Sequence, residues 1–149
     1  MGILANLTDE IKTAMRAKDS LRLEALRAIK SAVMLEQTSS AAGTTLSDEQ
    51  EIKLVQKLVK QRKDSAQIFK DQNRPDLVEP EEAQAKIIAA FLPAQLSEEE
   101  ITKIVRDIID QTGAEGMKDM GKVMGMASKQ MAGTADGKTI STIVKQLLS

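Results

Sequence analysis

Apolar residues recur at intervals of three or four along almost the whole chain, and no stretch alternates apolar with polar residues for long. Recurrence at this interval lines one face of an α-helix, whereas a half-buried strand requires alternation. Segment 3–16 is typical, because Leu4, Leu7, Ile11 and Met15 would share one helical face there. The pattern therefore predicts an all-α fold built from amphipathic helices.

Polar residues that cap helix ends divide this pattern into seven predicted helices. Ser47 with Gln50 opens a long third helix, and Ser97 with Glu100 opens a fifth. Each pair forms a capping box, in which two otherwise unpaired backbone N–H groups find side-chain acceptors. Asp76 is the expected cap of the fourth helix, and Gly113 is expected to end the fifth in the left-handed conformation.

Two segments are predicted to lie between helices. The small residues of segment 38–45 predict a loop. Segment 92–96, Leu-Pro-Ala-Gln-Leu, is the clearest linker, because proline disfavours helical geometry in the residue before it. We therefore predict an N-terminal helical module of about four helices followed by a C-terminal three-helix bundle, with the boundaries 1–93 and 97–149.

The missing residue types exclude several classes of chemistry. The chain has no Cys and no His, which excludes disulfides, thiol catalysis and thiolate metal sites and removes the commonest general base. Its only aromatic residues are Phe69 and Phe91, so stacking of single-stranded bases is not expected. No arrangement of the remaining polar residues marks a nucleophile with its base. We predict no catalytic residue, no cofactor and no metal site.

The sequence also bears on location. No run of about 18 apolar residues is present, so no segment is expected to span a membrane. Asp9 and Glu10 stand where a signal peptide would carry apolar residues. The sequence therefore predicts no membrane partner and a cytoplasmic location.

The sixth predicted helix has one methionine-rich face. Methionines at helical spacing are more often core residues than ligands, and we interpret this face as core. Its members are Met120, Val123, Met124, Ala127 and Met131.

Gly121 and Gly125 fall roughly opposite that face, flanked by Lys118, Lys122 and Lys129. Each glycine inside a helix costs about 0.5–1 kcal/mol relative to alanine. Two of them on an outward face suggest that another backbone comes close. One interpretation is contact with RNA sugars and phosphates. The other is close packing against the N-terminal module or another protein chain.

Segment 133–139, Gly-Thr-Ala-Asp-Gly-Lys-Thr, resembles a phosphate loop, but its first glycine is one residue too close to the second and no strand precedes it. We therefore exclude binding of a nucleoside triphosphate. A single phosphate can still be held by Lys138 and the free N–H groups at a helix start. The alternative is an ordinary turn between helices.

Arg62 falls within the apolar stripe of the third helix, and Lys30 is similarly placed on the second. A charge on a buried face needs a partner. The predicted partners in this structural ion pair are Glu79, Glu81 and Glu82. The alternative for Arg62 is a ligand-anchoring role.

Six motifs follow one another along the chain: Lys18-Asp19, Leu26-Arg27 with Lys30, Lys60-Gln61-Arg62 ahead of Asp64-Ser65, Leu92-Pro93, the glycine-rich segment 119–125, and Ala135-Asp136-Gly137. In this order they resemble the stand-alone YqeY family, also called the GatB/YqeY tail-domain family. That family is similar to the tail domain of the B subunit of the tRNA-dependent amidotransferase and to an appended domain of some glutaminyl-tRNA synthetases. The resemblance spans essentially the whole chain.

The resemblance implies a three-helix C-terminal bundle that contacts the outer body of tRNA. The candidate RNA-binding residues are Gly121, Lys122, Gly125, Asp136, Gly137 and Lys138, with Lys118 and Lys129 as further phosphate contacts. Recognition is expected to be of shape and backbone. The implied role is a non-catalytic accessory module in translation, with a tRNA-dependent amidotransferase or an aminoacyl-tRNA synthetase as partner.

Two alternatives stay open. The chain can be a protein–protein adaptor that docks on such an enzyme without touching RNA. The family label also suggests carbon–nitrogen ligase activity with glutamine as amido-N-donor. Because the chain lacks the catalytic cradle of the amidotransferase B subunit, that activity is expected to belong to the larger enzyme.

Overall fold

A computed structural model describes residues 2–39 and 45–149 of the chain, and within these ranges it is all-helical without strands. The predicted all-α fold is confirmed. Residues 40–44 of the predicted loop 38–45 lie outside the described residues. The helices are α1 (Leu7–Arg16), α2 (Ser20–Ser39), α3 (Asp48–Asp71), α4 (Pro75–Ala89), α5 (Glu98–Thr112), a 3-10 helix (Met117–Asp119), α6 (Met120–Gln130) and α7 (Gly137–Leu148).

The chain divides into two compact units, one ending at Leu92 and the other comprising Pro93–Ser149. The first unit contains α1–α4, whose apolar faces meet in one core. Burial of such side chains, at about 1.5–3 kcal/mol each, is the main source of stability for helices of this length. The largest side chains that are fully buried in this unit are Leu26, Ile29, Val55 and Ile88.

The helix α3 begins at the predicted capping box. The Ser47 hydroxyl accepts a hydrogen bond from the Gln50 N–H at 3.2 Å, and the Ser47 N–H donates to Gln50 Oε1 at 2.8 Å. The next helix differs from the prediction, since α4 begins at Pro75 rather than after an Asp76 cap. Proline has a φ angle already suited to the first helical position and lacks the N–H that would be unpaired there.

The turn between α1 and α2 places Lys18 in the left-handed region, with φ +56°. The Asp19 N–H donates to the Ala14 carbonyl at 3.1 Å, which closes the end of α1. Asp19 then caps α2, because its carboxylate accepts from the Arg22 N–H at 3.1 Å. Two residues therefore end one helix and begin the next, at the conformational cost of a non-glycine residue with positive φ.

The second unit contains the 3-10 helix and α5–α7, whose inward faces form a separate core. The capping box of Ser97 and Glu100 starts α5, and Gly113 ends it with φ +66° in the left-handed conformation, as predicted. The segment before α5 is held by the loop between α6 and α7. The Leu96 N–H donates to the Thr134 carbonyl at 2.8 Å. The largest fully buried side chains of this core are Val105, Ile108, Val123, Met131, Ile140 and Val144.

Candidate functional site

The inward face of α6 is the predicted apolar face. Val123, Ala127 and Met131 are buried there, and Met120 and Met124 pack partly buried against the same core. The methionines on this face therefore anchor α6 to the bundle. This anchoring fixes which side of α6 faces outward.

The outward side of α6 contains two glycines in open surroundings. Gly121 and Gly125 are both exposed, and a Cβ atom built on either would meet no other atom within 4 Å. Both have ordinary helical backbone angles, since the glycines with positive φ lie elsewhere, at Gly113, Gly116 and Gly133. Neither packing within the bundle nor backbone conformation therefore requires glycine at these two positions.

Three lysines flank the two glycines. Lys118, Lys122 and Lys129 are all exposed, and within the described ranges none of them forms an ion pair. Lys118 lies in the 3-10 helix before α6. The two lysines on α6, Lys122 and Lys129, are separated by about 10 Å along the axis, at 1.5 Å per residue. We call the set Lys118, Gly121, Lys122, Gly125 and Lys129 the glycine–lysine strip.

The nearest carboxylate in the sequence is already occupied. Asp119 is half-buried, and its Oδ2 accepts a hydrogen bond from the Glu115 N–H at 2.8 Å, which closes the turn before α6. The Asp119 side chain therefore has a structural function in this turn. The strip itself contains three ammonium groups and no carboxylate. It also exposes the helical backbone at its two glycines. This arrangement allows the backbone of an anionic polymer to come close.

The start of α7 is organised differently. Asp136 caps this helix: its Oδ1 accepts from the Lys138 N–H at 3.4 Å, and its Oδ2 accepts from the Thr139 hydroxyl at 3.4 Å. A carboxylate therefore already occupies the positive end of the helix dipole, where a phosphate would bind. These bonds fit the alternative interpretation of segment 133–139 as an ordinary capped helix start. Gly137 and the Lys138 side chain are exposed beside it.

Arg62 has partners other than the expected carboxylates. Its Nε donates to Gln84 Oε1 at 3.1 Å, and its Nη1 donates to the Leu58 carbonyl at 3.3 Å. The side chain is only partly buried. Because water still reaches part of the guanidinium, a neutral amide and a carbonyl are enough to satisfy it, and no counter-ion is needed.

The other members of the predicted ion pair are also placed differently. Lys30 is exposed on α2 and not within the buried stripe. Glu82 pairs with Lys70 at 2.7 Å. Glu79 is exposed and Glu81 half-buried, and in the part of the chain that the structure describes neither forms an ion pair with Arg62. The expected cluster is therefore replaced by one cross-helix hydrogen bond and one exposed salt bridge.

Two structural features are absent from the described ranges 2–39 and 45–149: a group of possible metal ligands and a helix that could span a membrane. No group of three or more acidic, His or Cys side chains there is arranged to hold a metal ion. None of the helices in these ranges is both long enough and apolar enough to cross a membrane.

The chain is similar to curated proteins of two kinds. It is 29% identical to "Altered inheritance of mitochondria protein 41, mitochondrial" of Pyrenophora tritici-repentis, over 98% of this chain and 81% of that protein. It is 31% identical to the protein of the same name from Kluyveromyces lactis, over 92% of this chain and 71% of that protein. It is also 37% identical over 71 residues to the E subunit of the glutamyl-tRNA(Gln) amidotransferase of Thermococcus gammatolerans, over 45% of this chain and 11% of that protein.

These comparisons correct one prediction and confirm another. The fungal relatives are named as mitochondrial proteins, which contradicts the predicted cytoplasmic location. The similarity to a component of an amidotransferase agrees with the resemblance noted in the sequence. A family model described as "Yqey-like protein" matches residues 4–148, and the chain therefore belongs to the YqeY family.

Proposed function

We propose that this protein is a non-catalytic accessory module that contacts tRNA through the glycine–lysine strip of α6. The observation that supports this most directly is the open space around Gly121 and Gly125. Glycine within a helix costs about 0.5–1 kcal/mol relative to alanine. Within the unit Pro93–Ser149, no contact of an added Cβ with the described residues offsets that cost. A ligand backbone that lies directly against the helix would account for it.

The charge at the strip favours a phosphate backbone as that ligand. Lys118, Lys122 and Lys129 are free of acidic partners within the described ranges. Lysine ammonium groups bind phosphates as point charges, and neutralising a phosphate releases counter-ions. Glycine lets riboses and phosphates approach within van der Waals distance of the helix. Since double-helical RNA is recognised mainly by shape and by 2′-OH and phosphate contacts, this chemistry suits a folded RNA.

The choice of tRNA rests on relatives. Two of the proteins that match part of the chain are named as subunits of a glutamyl-tRNA(Gln) amidotransferase. The chain spans only 11% and 9% of their lengths, so their catalytic activity does not follow from the match. We propose that the shared part serves tRNA contact, with an amidotransferase or aminoacyl-tRNA synthetase acting on the same tRNA.

The test is fluorescence anisotropy of labelled whole tRNA with the full chain, repeated over a salt series. Binding should saturate and weaken steeply with salt. Lys122→Ala should reduce the slope of log K against log salt by about 0.7–0.9, the value for one lost phosphate contact. Gly125→Leu should weaken binding without altering the far-ultraviolet circular dichroism, because its side chain would project into open space.

Lys103→Ala is the matched control, since it removes an exposed lysine from α5 of the same unit. It should leave both affinity and slope unchanged. Absence of saturable binding by the wild-type chain at low salt would refute the proposal. Equal losses of tRNA affinity in Lys122→Ala and Lys103→Ala would also contradict the proposal, because binding would then depend on general charge and not on the strip.

A further inference from the structure

A second basic surface lies in the other unit, in a groove between α3 and α4. The groove has a volume of about 520 Å³. Its floor is made of alanines, of which Ala66 and Ala85 are almost completely buried. Lys63 and Lys70 from α3 and Lys86 from α4 line its edges and are exposed.

The floor is open because its residues are small. Ala66 follows Lys63 by three positions on α3, and Ala85 precedes Lys86 by one position on α4. Methyl groups let the two helices approach, but they do not fill the space between the lysine stems above them. The groove therefore has a floor of small apolar side chains and three lysines at its edges.

The charge in the groove is unbalanced. Glu82 is the one carboxylate in its lining, and it pairs with Lys70 at 2.7 Å. Lys63 and Lys86 form no ion pair within the described ranges. Two ammonium groups, contributed by two different helices, therefore face the groove without counter-ions.

We propose that this groove, centred on Lys63 and Lys86, is a second phosphate-binding site for the same RNA that contacts the glycine–lysine strip. The inference rests on the proposed function and extends it to the first unit of the chain. Two unpaired ammonium groups on opposite sides of an open channel match a phosphodiester backbone running along it. Lys70 and Glu82 also line the groove, but they are paired with each other.

The alternative for these lysines is simple solvation, with their stems covering apolar surface. If that alternative holds, removing the charges of these lysines should leave RNA binding unchanged. The two interpretations therefore differ in a measurable quantity, the salt dependence of affinity.

The experiment compares the double variant Lys63→Ala/Lys86→Ala with the wild-type full chain in tRNA anisotropy over a salt series. The slope of log K against log salt should fall in magnitude by about 1.4–1.8, which corresponds to two phosphate contacts at 0.7–0.9 each. The charge-conserving variant Lys63→Arg/Lys86→Arg should keep the wild-type slope. This rescue separates lost phosphate contacts from a disturbed fold.

The matched control is Lys12→Ala/Lys57→Ala, which removes two exposed lysines of the same unit that lie outside the groove and form no ion pair within the described ranges. The inference would be overturned if the groove variant kept the wild-type slope of log K against log salt. It would also be overturned if the groove and control variants reduced this slope equally. If the wild-type chain bound RNA and Lys122→Ala weakened it, the proposed function would survive that result. If the wild-type chain bound no RNA, both proposals would fall together.

Discussion

Replacing Gly125 with alanine should stabilise the protein, because nothing in the fold of α6 requires glycine there. Gly125 lies in the interior of α6 with ordinary helical angles, and an added Cβ atom would meet nothing within 4 Å. The substitution therefore removes the conformational cost of glycine without introducing a steric one. We expect a gain of about 0.5–1 kcal/mol in the free energy of unfolding.

The expected shift in melting temperature depends on how the chain unfolds. If the unit Pro93–Ser149 melts independently, a gain of about 1 kcal/mol raises its Tm by about 4–8 °C. If the whole chain melts in one transition, the rise is about 2–4 °C. Thermal unfolding followed by far-ultraviolet circular dichroism measures the shift, and the number of transitions distinguishes the two cases.

Gly113→Ala provides the matched control. An added Cβ there would also meet nothing within 4 Å, but Gly113 has φ +66°. Because alanine is strained in the left-handed region, by about 1–2 kcal/mol, this variant should be destabilised. Two glycine-to-alanine changes in equally open space should thus shift Tm in opposite directions.

The same Gly125→Ala variant should bind tRNA more weakly than the wild type, because its methyl group lies where the ligand backbone would approach. Greater stability with weaker binding is the result expected of a residue retained for function. Greater stability with unchanged binding would refute the functional argument for this glycine. A loss of stability would refute the structural argument, because it would mean that α6 needs glycine for its own packing.

Three further predictions concern local structure. Lys18→Gly should raise the free energy of unfolding by about 1 kcal/mol, because Lys18 has φ +56° and glycine adopts that conformation without strain; an unchanged melting temperature would contradict this. Ser97→Ala should lower the free energy of unfolding by about 1 kcal/mol through loss of the cap of α5. Ser97→Asp should retain most of the stabilisation by this cap, and a denaturant titration measures both variants. Hydrogen bonds from Arg74 hold the pKa of the Asp76 carboxyl below its ordinary value. The pair should therefore stabilise the protein fully at a pH above the ordinary pKa of the carboxyl. This stabilisation should be lost as the pH falls through the lowered pKa. A carbon-detected NMR titration should show the pKa of Asp76 rising in Arg74→Ala, and no change there would refute the assignment.

Sequence was most informative where structure is decided locally. The capping boxes at Ser47 and Ser97 form as predicted, and Gly113 ends α5 in the left-handed conformation. Each of these features depends on a few consecutive residues and on hydrogen bonds within one helix end. The core face of α6 was predictable for a similar reason, because a period of about 3.6 residues assigns side chains to faces without reference to any other helix.

Sequence was least informative where two helices meet. It placed Arg62 in an apolar stripe but could not decide that Gln84, and not a glutamate, would lie opposite. That choice depends on the axial register and rotation of α4 against α3, which single-helix periodicity does not fix. The groove edged by Lys63 and Lys86 was not predicted for the same reason, because it forms only where α3 and α4 lie side by side.

The net charge of −1 makes close contact essential to the proposed function. A chain without net positive charge has little long-range attraction for a polyanion, so binding must come from local fields. The outward face of α5 carries Glu98, Glu99, Asp107 and Asp110 against Lys103 and Arg106, a balance that disfavours phosphates there. Since screening limits the reach of three surface lysines to about 8–10 Å at ordinary salt, they act strongly only when phosphates come near. The bare backbone at Gly121 and Gly125 permits that approach, so charge and space are both required, and lysines on an alanine-rich helix would bind more weakly.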